Sequence, residues 1–153
     1  MMVDGFSRIF VARWTDMDSN AHMRNTAYLD LAGDLRMMFF QENGFGPKEF
    51  VRLHLGPVVQ RDELEYFHEV HLLEGVVVTM MLGGLSPDGS RFRICNDFRK
   101  EDGTPVARIS SMGGWMNLET RKLVPPPAAL AAAIDRLLRT DDFQEISGRS
   151  AAG

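Results

Sequence analysis

Apolar and polar positions alternate from Phe6 to Trp14, with Phe6, Phe10, Ala12 and Trp14 sharing a face with Arg8, and Ser7, Ile9, Val11 and Arg13 on the other. A period of two predicts a strand, buried mainly on one side. From Asn25 the period becomes helical. Tyr28, Leu31, Ala32, Leu35, Met38 and Phe39 recur at helical spacing, while Asp30, Asp34 and Gln41 mark a narrow polar stripe, so most of this helix is expected to be buried. Asn25 or Thr26 suits its start as a cap, and Asn43-Gly44 its end through a left-handed residue.

A loop through Gly46-Pro47 and Gly56-Pro57 leads into four long strand-like runs, about 58–72, 76–85, 91–100 and 106–118. Glu74-Gly75, Pro87-Asp88-Gly89 and Glu101-Asp102-Gly103 separate them with the residues hairpin turns favour, so an antiparallel meander is expected. In RFRICNDFRK, Phe92, Ile94 and Phe98 alternate with Arg91, Arg93, Asp97 and Arg99, the sign of a sheet with one wet face. Pro125, Pro126 and Pro127 introduce an Ala/Leu-rich helix to about Leu138. The expected organisation is one α+β domain over residues 1–140, a sheet curling around the first helix, with a frayed tail at 141–153.

Composition narrows the partners. A length of 153 residues fits one domain with a real core. The net charge of −4 and the absence of any long Lys/Arg run speak against nucleic acid as a partner. Cys95 stands alone, which excludes an internal disulfide and any paired-thiol site. The N-terminus has no basic region followed by a long apolar stretch, and VVVTMMLGGL is too short to span a bilayer, so no membrane partner and a cytoplasmic location are expected.

Between the first strand and the helix stands DMDSNAHMRN, residues 16–25. Extended to DMDSNAHMRNTAYLDLAGDLR, it resembles the signature of the hotdog-fold acyl thioesterases of the 4-hydroxybenzoyl-CoA thioesterase type, with Tyr28 and Arg36 at the positions that pattern gives them. Within that group Asp18, Asn20, His22 and Asn25 are most similar to the Asp-x-Asn-x-His-x-x-Asn motif of the plant acyl-ACP thioesterases, and LEYFHE, ending in Glu69, looks like the strand that supplies those enzymes with a glutamate. MNLETRKLVPPPAAL resembles the terminal strand and exit of the wider family, and the likeness spans about residues 6–130.

The resemblance implies a hotdog fold, a long buried helix wrapped by a curved antiparallel sheet, and hydrolysis of an acyl-CoA or acyl-ACP thioester to free acid and thiol by a homodimer or tetramer. No cofactor or metal is implied, because a thioester carbonyl is already electrophilic and needs only a carboxylate and an oxyanion donor. Asp18 would be nucleophile or general base, the Asn25 amide at the helix start the oxyanion donor, His22 an orienter of water or proton carrier, and Asn20 a positioning group. Glu69 would be a second carboxylate. On a regular strand it lies opposite Leu64, Tyr66, Val70 and Leu72, so a bulge is needed to re-aim it. Asp16 reads as a structural hydrogen-bonding partner of the loop.

The remaining candidates carry less. HEVH at 68–71 lacks the HExxH spacing of a zinc helix, and on a strand its histidines face opposite ways. Cys95 sits amid alternating strand residues. Arg91, Arg93, Arg99, Lys100 and Arg108 suit either coenzyme A phosphates or a solvated sheet face, and the numerous methionines suit either an adaptable acyl pocket or ordinary core. An enoyl-thioester hydratase and a non-catalytic acyl-thioester sensor of the same fold are the rival readings. A sensor would dispense with Asp18, and a hydratase motif usually spaces its Asp and His farther apart.

Overall fold

The computed structural model describes residues 5–147. In chain order its elements are β1 (Phe6–Val11), a single turn at Trp14–Asp16, α1 (Ala27–Glu42), α2 (Pro47–Leu53), β2 (Leu55–Tyr66), β3 (Gly75–Leu85), β4 (Arg91–Lys100), β5 (Pro105–Asn117), β6 (Lys122–Leu123), α3 (Ala128–Asp135) and β7 (Arg139–Glu145). Thr26 and Asn43 flank α1, and Gly44 takes the left-handed conformation (φ 88°) that ends it, as its sequence requires. One side of α1, carrying Tyr28, Leu31, Leu35, Phe39 and Phe40, is buried against the sheet. Met37 and Met38 are exposed, so those two methionines are not core filling.

The strands form one sheet in the order β1-β3-β4-β5-β2, with β6 pairing β5 and β7 running parallel to β3. All other pairs are antiparallel. Curled around α1, this is the hotdog arrangement. Its core joins Phe40, Phe50, Phe92 and Trp115 in edge and stacked ring contacts at 5.4–6.1 Å between centroids, and Trp115 is 1% exposed. Arg36 ties α1 to the sheet: it donates to Ser111 Oγ at 2.8 Å, and Ser111 donates to Asp62 on β2. Burial pushes the Arg36 guanidinium down from its usual pKa, partly offset by Asp62.

The structure corrects the sequence reading in three places. β2 and β3 are not a hairpin. The meander holds for β3, β4 and β5, while β2 pairs β5 at the far edge, so residues 67–74 cross from one side of the sheet to the other. The Gly46–Gly56 segment contains α2, opened by Pro47 at a helical position that needs no amide donor. The tail expected to fray over 141–153 is ordered in its first part: residues 139–145 form β7, held by Leu82 N–H on Leu138 O (2.8 Å) and by Arg93 against Asp142 (3.1 Å), while 148–153 lie outside the described residues. With Thr140 also donating to it, the Asp142 carboxyl is lowered to about 2.

The basic set is largely neutralised within the chain. Arg93 pairs with Asp142, Arg108 with Asp97 and Lys100 with Glu74. Cys95 is fully buried, 3.9 Å from Ser110 Oγ, and is part of the packing of the sheet.

Candidate active site

The loop 16–26 is built by its own acidic groups. Asp16 is buried and accepts from the Arg13 backbone N–H (3.0 Å) and guanidinium (3.2 Å to Oδ1). Burial pushes its carboxyl up, but the Arg13 bonds outweigh that and its pKa is lowered. Asp18 is exposed, and its Oδ1 accepts the backbone N–H groups of Asn20 (2.9 Å) and His22 (3.1 Å). Those bonds, the His22 amide first, hold the carboxyl below its ordinary value. The Asp18 N–H in turn donates to His22 O at 2.8 Å, closing a tight loop with Ala21 at φ 61°, a conformation costly for any residue with a Cβ. Among the described residues Asp18 Oδ2 has no hydrogen-bond partner, so one oxygen shapes the loop while the other is free for chemistry.

The 67–74 crossover lies against this loop. Met23 N–H donates to Val70 O at 2.8 Å, and His22 and His71 form an isolated antiparallel bridge. Glu69 is thereby brought to 3.1 Å from His22 Nε2 without the bulge the sequence demanded, because β2 ends at Tyr66 and the crossover is irregular. Val70 turns inward and is fully buried. His68 lines the cleft but stays out of this contact, with Nδ1 2.7 Å from Pro105 O. The HEVH histidines therefore do separate, but His71 joins His22 and Glu69 in a three-residue cluster that no reading of HEVH alone could show.

The helix start completes the site. Among the described residues the backbone N–H groups of Asn25, Thr26 and Tyr28 have no hydrogen-bond acceptor, and they stand at the positive end of the 16-residue helix α1. Tyr66 Oη donates to Asn25 O at 3.0 Å, fixing the Asn25–Thr26 peptide that leads into the helix. Tyr28 packs edge-on to Tyr66 and Phe98 (5.3 and 5.4 Å), and burial, with Tyr66 and Glu69 nearby, raises its phenol to about 12.

These groups face one open cleft of about 380 Å³, whose wall includes Asp18, His22, Asn25, Tyr28, Tyr66 and Glu69. Four of the five residues singled out in the sequence thus meet there. Asn20 does not: its side chain is exposed, and it serves the loop through its backbone N–H. Tyr66 was missed as a site residue, since its role depends on where β2 stops; His71, brought to His22 by the crossover, stands outside the cleft wall. A larger cleft of about 520 Å³, which includes Gln60, Arg91, Arg93 and Asp142, contains none of the loop residues.

The model of the thioesterase-like superfamily matches residues 12–134, and the chain belongs to that superfamily. Among solved structures it is similar to a hypothetical protein from Staphylococcus aureus in complex with CoA, with 23% identity over 88% of this chain and 84% of that one and a TM-score of 0.79. A 1,4-dihydroxy-2-naphthoyl-CoA thioesterase from Synechocystis is 15% identical over 86% of this chain and 96% of its own, with a TM-score of 0.77. A probable thioesterase from Escherichia coli is 18% identical over 87% and 98%, with a TM-score of 0.74. No curated protein matches by sequence. Among the described residues no helix is long and apolar enough to cross a membrane.

Proposed function

We propose that this member of the thioesterase-like superfamily hydrolyses an acyl-CoA thioester to a free acid and coenzyme A, with acyl-ACP as the alternative carrier. The observation that carries the reading is the meeting, in one cleft, of a carboxylate with a free oxygen and a helix-start amide with no acceptor. The bound CoA of the staphylococcal protein and the naphthoyl-CoA activity of the Synechocystis enzyme support coenzyme A as the carrier.

Asp18 Oδ2 takes a proton from water, the water oxygen adds to the thioester carbonyl, and the charge on the carbonyl oxygen is met by the Asn25 N–H. Collapse of the adduct breaks the C–S bond, and the thiolate takes the proton back from Asp18. His22, held through Nε2 by Glu69, presents its other nitrogen for orienting water. A direct attack by Asp18 on the carbonyl uses the same residues. Tyr66 holds the Asn25 carbonyl, on the peptide next to the one that carries the donating N–H, so Tyr66→Phe is expected to lower kcat/KM by up to about tenfold, the value of one hydrogen bond, with folding unchanged. A wild-type kcat/KM in that variant would remove Tyr66 from the arrangement.

Thiol release from a panel of acyl-CoA and acyl-ACP thioesters tests the reading, and an enoyl thioester that gains water without releasing thiol would replace it with hydration. The active unit is proposed to be a homodimer or a tetramer. Strand β2 is twelve residues long, and among the described residues it pairs only with β5, so its other edge is open to a second copy. Sedimentation at micromolar concentration is expected to show at least a dimer, and a stable monomer would overturn this.

A further inference from the structure

We propose that His22, Glu69 and His71 form a binding site for a divalent transition metal of the zinc class, and that its occupation stops hydrolysis. The second half rests on the function proposed above, whereas the first does not. One ligand atom from each of the three residues lies within 4.8 Å of the others. The His22 and His71 rings meet edge-on at 5.1 Å between centroids, and Glu69 Oε2 is 3.1 Å from His22 Nε2.

Two imidazoles and one carboxylate are a donor set that zinc takes with a water in the fourth position, whereas calcium and magnesium ask for oxygen ligands throughout. With bonds of about 2.0–2.2 Å, tetrahedral ligand atoms stand roughly 3.4 Å apart. Glu69 and His71 are exposed, and rotation of their side chains is enough to close the remaining distance.

What distinguishes this cluster from a chance surface grouping is its backbone. The two segments that carry it are bound to each other by the His22 to His71 bridge, to which the Met23 N–H on Val70 O belongs. Glu74 Oε1 accepts the His71 N–H at 2.8 Å and is itself paired with Lys100 (3.2 Å to Oε2), so the His71 backbone is held from both sides. The site is assembled before any metal arrives, and little ordering opposes binding. A metal there would take both His22 nitrogen and Glu69 oxygen out of the cleft.

Untagged full-length protein titrated with Co²⁺ should bind one equivalent with the strong visible absorption of a tetrahedral site, and Zn²⁺ should displace it. Even groups outside the ligand shell are worth about 10–100-fold in metal affinity. His71→Ala and Glu69→Gln are therefore each expected to weaken binding by at least about 100-fold, and His68→Ala to leave it unchanged. No binding at micromolar metal, or unchanged binding in His71→Ala, overturns the site. In the activity arm, one equivalent of zinc should abolish acyl-CoA hydrolysis by the wild type, while His71→Ala keeps its metal-free rate and resists zinc. Equal inhibition of both overturns the inhibitory role. Cobalt binding by a protein that releases no thiol from any acyl thioester leaves the metal site standing and removes the proposed function.

Discussion

Asp18→Asn is expected to fold as the wild type does and to lose about 10²–10⁴ in kcat, the usual contribution of a positioned acid or base. The asparagine oxygen replaces Oδ1 and still accepts the Asn20 and His22 amides, so the loop keeps its shape while the free carboxylate oxygen disappears. Asp18→Ala is a different experiment. It removes the acceptor that both amides use, and loop geometry is lost together with chemistry. Near-normal turnover in the folded Asn variant would take Asp18 out of the reaction. The pH profile gives a second check. The active form of a base is the ionised one, and the two backbone N–H groups hold the Asp18 pKa below its ordinary 3.8. Activity should therefore survive acidification through the usual carboxylate range, and the limb due to Asp18 should appear only below pH 3.8. In the Asn variant no such limb remains.

The parts of the molecule fixed by local chemistry were legible in advance. The periodicity of Tyr28, Leu31, Leu35 and Phe39 gave α1, and Asn43-Gly44 gave its end, because burial of one face and a left-handed residue are both written in adjacent positions. What failed depends on distant partners. The alternation from Val58 runs on to Leu72, yet β2 stops at Tyr66, because its partner β5 begins at Pro105 and the Phe67 and His68 amides both converge on Val106 O. The ladder simply runs out. No local pattern states that β2 lies beyond β5 rather than beside β3, and from that order follow the crossover, the approach of Glu69 to His22 and the recruitment of His71. β7 was hidden for a similar reason. Its acidic sequence reads as solvated, but Asp142 finds Arg93 across a long separation in sequence.

Asn25→Pro is expected to lower hydrolysis by about 10²–10³ with the fold retained, the measured worth of one oxyanion donor in other hydrolases. The position is favourable for so severe a change. The Asn25 N–H has no acceptor among the described residues, so proline breaks no bond of the resting protein, and α1 begins two residues later. The carbonyl of residue 25 persists and can still accept from Tyr66. The Ala27 N–H on Arg24 O, at 3.0 Å, is also outside the replaced group. Proline restricts the residue before it, so thermal unfolding of the variant must accompany the rate measurement. Asn25→Ser provides the contrast: it keeps the backbone N–H and changes only the side chain, and it should retain most activity. If the Ser variant falls as far as the Pro variant, the amide side chain rather than the backbone makes the contact. Should Asn25→Pro fold and turn over acyl-CoA at the wild-type rate, the charge is met farther into the helix start, where the Thr26 and Tyr28 amides also lack acceptors. Of those two, Tyr28 belongs to the cleft wall and would be the donor to test next.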